Sequence, residues 1–333
     1  MRRAKNPLWI GALALAGMLI PSSVTTRSQQ TPTPSQDSQP AGQGPTIRRQ
    51  VNLVNVFATA RDKNKRIVAD LKQEDFRLFE DNKEEKVAFF SRETSLPITL
   101  GLLIDTSGSE RNRLSAEQEA ATRFLMRVMR KGDEAMVISF DLDVDLLADF
   151  TEDRARLEHA IRRARIGAAG AGGVVTPGPL PTSSAPNGTH FYDAIYLACM
   201  DKLVSEAGRK ALVIITDAED FGSRLRLEEA IEAAQRTDTV VHILLVRDPG
   251  QGSRPDIAKK IVDETGGRLI EVSSEKKLEQ AFDQISEELR SQYLLGYYPS
   301  NTKHDGGYRK IKVEPANKDL KVLARRGYYA PKS

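Results

Sequence analysis

Cysteine is almost absent from this chain of 333 residues, in which Cys199 is the only one. A single cysteine excludes an internal disulfide. Cys199 follows Ile195 and Leu197 and precedes Met200, an apolar setting that is typical of a small buried side chain.

Net charge is also small. The formal charge is +3 at pH 7, and residues 1–27 hold four basic side chains and no acidic one, so that the chain without them carries −1. Proteins that bind nucleic acid normally carry a strong net or local positive charge. The sequence therefore argues against nucleic acid as a partner.

Long apolar runs are lacking near the N-terminus. Residues 7–20 are mostly apolar, but a membrane-spanning helix needs about 20 such residues. They follow Arg2, Arg3 and Lys5 and precede a proline and two serines, an order typical of a secretory signal. We predict that residues 1–25 are a signal peptide and that the protein is exported to the periplasm or the extracellular space, in association with the cell envelope. Without cleavage, the same segment would hold the chain at a membrane.

What the sequence does contain suits a folded protein, because 40% of its residues are hydrophobic and 29% are charged. A chain of this length can bury one full α/β domain and a smaller unit. Residues 26–46 are rich in Gln, Thr, Pro, Ser and Gly and are predicted to be a disordered linker.

Residues 95–292 alternate between apolar runs of strand length and segments of helical period. This alternation predicts an α/β fold with a doubly wound, mostly parallel sheet. Strands are predicted at 98–104, 135–140, 144–147, 211–216, 240–246 and 268–271, and helices at 114–129, 153–166, 191–205, 227–236, 255–265 and 275–292. Residues 167–188, rich in Gly and Pro, are predicted to be a long loop, which in a compact domain is usually functional or mobile.

Strand patterns flank this domain on both sides, at residues 47–94 and 293–333. Neither set is large enough to be stable alone, because a few strands need a partner layer. We therefore predict that the two flanks join into one smaller β-sandwich, into which the α/β domain is inserted.

A cluster of oxygen ligands is predicted where the first strand of the α/β domain ends. Asp105 closes the apolar run, and Ser107 and Ser109 follow at alternate positions. Open α/β sheets keep their binding sites at such strand-to-helix crossovers. One carboxylate and two hydroxyls suit a hard cation such as Mg²⁺ or Mn²⁺ better than zinc or copper.

Two further oxygen ligands lie at the carboxyl ends of the predicted sheet. Thr189 stands just before a predicted helix, and Asp217 ends an apolar strand. Together with Asp-Thr-Ser-Gly-Ser at 105–109, these residues resemble the metal-ion-dependent adhesion site of the von Willebrand factor type A family. That pattern is Asp-x-Ser-x-Ser, a distant Thr and a distant Asp. The resemblance covers residues 96–292.

The resemblance implies a von Willebrand factor type A fold and binding without catalysis. Ser107, Ser109 and Thr189 would supply hydroxyl ligands, and Asp105 and Asp217 would bind the ion directly or through water. The ion would be Mg²⁺, Mn²⁺ or Ca²⁺, and the carboxylate of an Asp or Glu on a partner protein would complete its coordination. The sequence thus predicts a cation-dependent adhesion module of the cell envelope.

Two features depart from the family pattern. Ala218 stands after the second aspartate, where the family often has glycine, a small change that is expected to spare the metal. The loop at 167–188 is longer and richer in proline than usual, which is expected to alter the rim of the site. The flanking segments 74–81 and 325–329 also resemble a set of exported bacterial type A proteins.

Two interpretations without a metal remain open. Ser107, Ser109 and Thr189 could simply cap helices, as Ser and Thr often do. The chain could also be a structural component of an envelope assembly in which the type A fold has lost its dependence on metal.

Hydrolase activity is a third alternative. Asp141 and Asp143 after a buried strand suit an aspartate-nucleophile phosphatase, although a hairpin with both as solvated turn residues also explains them. A subtilisin-like protease would need a histidine where Asn187 stands, and without a base there is no activated serine. His242 lies within an apolar strand, which indicates a core histidine.

Overall fold

The computed structural model describes residues 53–93, 96–167, 188–247 and 252–332. The predicted signal peptide (1–25), the predicted linker (26–46) and all but the ends of the loop predicted at 167–188 lie outside the described residues. Within the ranges described, no helix is long and apolar enough to cross a membrane.

The described residues of the N-terminal flank, 53–93, form five strands and a 3₁₀ turn at Gln73–Asp75. Asp81 and Asn82 both have positive φ, 47° and 68°, as a two-residue hairpin turn of type I′ requires, and they join the third strand to the fourth. The strands are β1 (Val54–Arg61), β2 (Ile67–Val68), β3 (Phe76–Glu80), β4 (Lys83–Glu85) and β5 (Val87–Glu93).

The α/β domain follows, and its described residues form six strands and six helices. Its elements are β6 (Ile98–Asp105), α1 (Leu114–Val128), β7 (Glu134–Phe140), β8 (Val144–Thr151), α2 (Arg154–Arg163), α3 (Phe191–Leu197), β9 (Arg209–Thr216), α4 (Leu227–Arg236), β10 (Thr239–Val246), α5 (Pro255–Thr265), β11 (Leu269–Val272) and α6 (Glu275–Leu289). Shorter turns of helix occur at Gly108–Glu110, Ala198–Lys202 and Leu203–Ser205. The last two interrupt the single helix that the sequence predicts over 191–205.

Local sequence signals set several helix ends. Asp153 begins α2 by accepting hydrogen bonds from the backbone N–H groups of Ala155 and Arg156. Pro255 opens α5, and Gly266 ends it in the left-handed conformation. Such caps satisfy backbone groups that the helix itself leaves unpaired.

The central sheet has the strand order β11-β10-β9-β6-β7-β8. All neighbours are parallel except β7 and β8, which are antiparallel. Helices α1, α2 and α6 pack on one face of this sheet, and α3, α4 and α5 pack on the other. Because β6 and β9 are covered on both faces, their central residues 100–104 and 211–215 form apolar runs. The predicted doubly wound, mostly parallel sheet is confirmed.

Within its described residues, the C-terminal flank adds four strands, three of which pair with strands of the N-terminal flank. They are β12 (Gln292–Tyr297), β13 (Tyr308–Pro315), β14 (Lys321–Ala324) and β15 (Gly327–Tyr329). One antiparallel sheet has the order β14-β1-β12-β5 with β2 beside β1, and the other has the order β15-β13-β3-β4. Both sheets therefore combine strands from before and after the α/β domain.

The two antiparallel sheets share one hydrophobic cluster, which includes Val56, Leu78 and Tyr293. Within it, the buried carboxylate of Glu80 accepts hydrogen bonds from the hydroxyls of Tyr297 and Tyr328, at 2.6 and 3.0 Å. Buried polar groups are normally paired in this way. The predicted domain boundaries at residues 94–95 and 292–293 remain predictions.

Candidate metal site

The site lies where two central parallel strands end side by side. Asp105 is the last residue of β6, and Asp217 directly follows Thr216, the last residue of its neighbour β9. Both aspartates are buried. Each offers a carboxylate oxygen to a cluster whose oxygens lie within 4.8 Å of one another, and Glu110 supplies the third.

The turn after β6 holds the two predicted serine ligands. The backbone N–H of Ser107 donates a hydrogen bond of 2.9 Å to Oδ1 of Asp105. The hydroxyl oxygens of Ser107 and Ser109 lie 2.9 Å apart and share a hydrogen bond. One carboxylate and two hydroxyls therefore converge on a single turn of chain.

Thr189 is positioned through its backbone. It exchanges two backbone hydrogen bonds with Phe221, at 2.9 and 3.0 Å, on the segment that follows Asp217. No side-chain contact from Thr189 to the other four predicted ligands is found among the described residues. The structure thus brings Asp105, Ser107, Ser109 and Asp217 together and places Thr189 on the chain segment beside them.

Helix capping does not account for these hydroxyls. Ser107 precedes the short turn Gly108–Glu110, but its side chain makes no capping hydrogen bond there. The N-cap residues of α1 and α3 are Arg113 and His190 rather than Ser109 or Thr189. Within the described ranges, Ser107 is an N-cap by position only, and Ser109 and Thr189 are not the N-cap residues of α1 and α3.

Thr216 orients the carboxylate of Asp105. Its hydroxyl donates a hydrogen bond of 2.7 Å to Oδ2 of Asp105 and accepts one of 2.9 Å from the backbone N–H of Ala218. Burial, together with the negative charge of Asp217, raises the pKa of Asp105 to about 7. A divalent cation between the two carboxylates would offset this repulsion, and hard oxygen donors of this kind fit Mg²⁺, Mn²⁺ or Ca²⁺.

Ala218 has a φ of 62° and is fully buried. This left-handed conformation costs a residue other than glycine about 1–2 kcal/mol. The conformation explains why glycine suits the position after Asp217. The alanine is nevertheless accommodated, with its N–H held by Thr216.

Glu110 and Glu117 are acidic residues near the site that the sequence pattern did not identify. Glu110 is 1% exposed, and its Oε2 atom has no hydrogen-bond partner. Burial, followed by the negative charges of Glu117 and Asp105, raises the pKa of Glu110 to about 10. The available sequence signal was its position directly after Ser109, with Glu117 two helical turns further on.

Asp141 corrects one sequence-based expectation. Residues 141–143 do form the bend between β7 and β8, but Asp141 is only 4% exposed and is not a solvated turn residue. Its backbone carbonyl accepts a hydrogen bond of 2.8 Å from the N–H of His190, because the Thr189 segment packs over the bend. Burial raises the pKa of Asp141. A carboxylate enclosed in this way does not present a nucleophile to a substrate in solution.

Comparison with known proteins agrees with this geometry. Residues 100–219 match the family profile described as the von Willebrand factor type A domain. Residues 100–219 are therefore a von Willebrand factor type A domain, and the resemblance stated from the sequence is confirmed. Domains of this family generally mediate protein interactions, and no catalytic family is indicated. A comparison with curated proteins gave no match.

Several solved structures are similar to this chain. A von Willebrand factor type A protein from Catenulispora acidiphila is 11% identical, with 85% of this chain and 74% of that chain covered and a TM-score of 0.48. Proximal thread matrix protein 1 from the mussel byssus is 13% identical, with 72% and 50% covered and a TM-score of 0.47. This chain thus spans half the length of the byssus protein, of which a second structure has a zinc-occupied MIDAS motif.

BatB from Bacteroides thetaiotaomicron is 18% identical, with 58% of this chain and 100% of that chain covered and a TM-score of 0.43.

Proposed function

We propose that this protein is an exported, non-enzymatic binding module whose interaction with a partner protein depends on a divalent cation. The cation would be held by Asp105, Ser107, Ser109, Thr189 and Asp217. The partner would contribute the carboxylate of an Asp or Glu. The general role of von Willebrand factor type A domains in protein interactions supports this proposal.

The observation that carries the proposal is the convergence of buried oxygen atoms at the ends of β6 and β9. Carboxylate oxygens of Asp105 and Asp217 belong to one cluster with spacings within 4.8 Å, and the hydroxyls of Ser107 and Ser109 lie on the adjoining turn. Burying two like charges side by side is unfavourable without a compensating charge.

When bound, Mg²⁺ or Mn²⁺ would supply that positive charge and an open coordination position for an oxygen atom of the partner. The chain itself orients the ligands. The backbone N–H of Ser107 and the hydroxyl of Thr216 each hold one carboxylate oxygen of Asp105. The hydroxyl ligands are neutral and leave the positive charge at the site less compensated than carboxylates would.

The rim of the site offers an apolar contact to a partner. Phe221 pairs with Thr189 through its backbone, and its side chain is 58% exposed. Exposed aromatic rings are enriched in protein interfaces. A partner carboxylate directed at the site would therefore have an aromatic surface beside it.

We also propose that the protein acts at the cell envelope, in the periplasm or the extracellular space. The charged and apolar order of residues 1–25, interpreted as a signal peptide, supports this location.

Calorimetric titration with Mg²⁺ and Mn²⁺ tests the metal site. The wild type should bind a cation, and Asp105→Ala and Asp217→Ala should abolish binding. The control is Glu119→Ala, which removes an exposed carboxylate of α1. Absence of binding by the wild type at millimolar cation would favour a metal-independent structural role instead.

A pull-down from envelope extract, with Mg²⁺ or with a chelator, tests the partner. A protein retained only with Mg²⁺, by the wild type and not by Asp105→Ala, supports the proposal. Equal retention under both conditions contradicts it.

A further inference from the structure

Glu110 occupies a position in the site that the serine and aspartate pattern does not assign. It follows Ser109 directly and ends the short helical turn Gly108–Glu110. One of its carboxylate oxygens lies within 4.8 Å of carboxylate oxygens of both Asp105 and Asp217. The three acids thus face a common point from two different segments of chain.

The environment of Glu110 is unusual for an acid with a purely structural role. Only 1% of the residue is exposed, and Oε2 has no hydrogen-bond partner. A buried polar atom without a partner destabilises the fold, because it has lost its hydrogen bonds to water. The largest charges acting on it, those of Glu117, Asp105 and Asp217, are all negative. A cation at the common point of the three acids would remove both costs.

We propose that Glu110 is a third carboxylate ligand of the cation site, beside Asp105 and Asp217, an inference that rests on the proposed function. The side chain approaches from the protein interior, since it is buried, and so leaves the solvent side of the site for a partner. Three carboxylates bind a hard divalent cation more tightly than two, because the charge of the ligand set tunes affinity.

Glu117 provides the competing explanation and therefore the control. Its carboxyl group interacts with that of Glu110, and the residue is buried. It lies outside the cluster of three oxygens within 4.8 Å. If Glu110 merely shares a proton with Glu117, removing either acid should change the cation affinity by the same amount. If Glu110 is a ligand, only its removal opens a coordination position.

The experiment combines affinity with a count of bound waters. Eu³⁺ serves as a luminescent hard cation, and its lifetimes in H₂O and D₂O report the number of coordinated waters. Glu110→Ala should weaken Mn²⁺ binding by about tenfold or more and add about one water to bound Eu³⁺, because a lost carboxylate is replaced by solvent. Glu117→Ala should leave the water count unchanged.

The outcomes separate this inference from the proposed function. If Asp105→Ala abolishes binding while Glu110→Ala keeps wild-type affinity and water count, the inference is wrong and the metal site stands. If both glutamate variants weaken binding equally without adding water, Glu110 is not a ligand. If the wild type binds no cation, both proposals are overturned. Should Glu110→Ala fail to fold, Glu110→Gln, which retains the shape of the side chain, replaces it in the affinity measurement.

Discussion

Arg61 of β1 and Glu288 of α6 form an ion pair in which the two side chains are only 8% and 1% exposed. The pair joins an antiparallel sheet of the flanks to the last helix of the α/β domain. Arg268 also contacts the Glu288 carboxylate, at 3.3 Å. One buried carboxylate therefore balances two arginines from different parts of the fold.

We predict that Glu288→Ala destabilises the protein by about 3–5 kcal/mol, because it leaves buried arginine charge without a partner. Urea denaturation of the wild type and variant measures the difference in free energy of unfolding. The matched control is Glu279→Ala on the same helix. Glu279 forms an ion pair with Arg123, and both side chains are more than half exposed. That variant should lose less than about 1 kcal/mol. Equal losses in the two variants would contradict the prediction.

His242, in the same region, makes the stability of the protein depend on pH. Burial, followed by the charges of Arg268 and Arg61, lowers the pKa of His242 from 6.5 to about 3. Below pH 6.5 the unfolded chain takes up a proton that the folded chain excludes. The contribution of neutral His242 to the free energy of unfolding is therefore complete above pH 6.5 and is lost as the pH falls toward 3.

We predict that the free energy of unfolding of the wild type decreases more steeply than that of His242→Gln between about pH 6.5 and pH 5. The difference between the two slopes should approach about 1.4 kcal/mol per pH unit, the value for uptake of one proton on unfolding. Chemical denaturation at several pH values measures it. His159→Gln makes the same change on the exposed face of α2 and should keep the pH dependence of the wild type. Parallel curves for His242→Gln and the wild type would refute the prediction.

Gly267 marks a close approach of two backbone segments before β11. A Cβ atom there would lie 1.9 Å from the carbonyl oxygen of Val241, a backbone atom that cannot rotate away. We predict that Gly267→Ala costs at least about 2–3 kcal/mol, since overpacking of this kind forces the backbone to shift. Thermal and urea unfolding measure the loss.

The control for Gly267 is Gly208, which has a φ of 85° and open space where a Cβ would stand. Gly208→Ala therefore meets only the conformational cost of the left-handed region, about 1–2 kcal/mol. A smaller loss of stability for Gly267→Ala than for Gly208→Ala would show that the backbone segments at Gly267 and Val241 can separate at little cost.

Much of the α/β domain could be predicted from sequence because its signals are local. The bounds predicted for α4 and α5, 227–236 and 255–265, agree with the structure. Period and capping residues determine them within the helix itself. The end of β6 at Asp105 was equally visible, since a doubly covered strand shows as an apolar run that stops at a polar residue.

The features that sequence could not predict depend on contacts between distant segments. Asp141 is buried because the Thr189–His190 backbone packs over its turn, and no local pattern encodes that packing. Glu110 directly follows Ser109 in the sequence. The burial of its side chain, however, depends on the turn Gly108–Glu110 and on packing beside Glu117. The pairing of β1 with β12 likewise joins segments that are far apart in the sequence. The alternation of apolar and polar residues within each strand does not determine its partner.

Thr216 allows the role of ligand orientation to be tested without removing a ligand. Its hydroxyl holds Oδ2 of Asp105 at 2.7 Å, and valine has nearly the same shape without the hydrogen bond. We predict that Thr216→Val weakens Mn²⁺ binding by about 10–100-fold, the usual effect of losing a group that orients a metal ligand. Calorimetric titration measures the affinity.

The control for Thr216 is Thr59→Val, the same substitution at a buried threonine of β1, which should retain wild-type affinity. Circular dichroism of each metal-free variant checks that folding is preserved. The folding check is needed because the hydroxyl of Thr216 also accepts a hydrogen bond from the N–H of Ala218. This bond helps to hold the left-handed conformation of Ala218. If Thr216→Val folds and binds Mn²⁺ as the wild type does, Asp105 does not need this hydrogen bond to reach the cation.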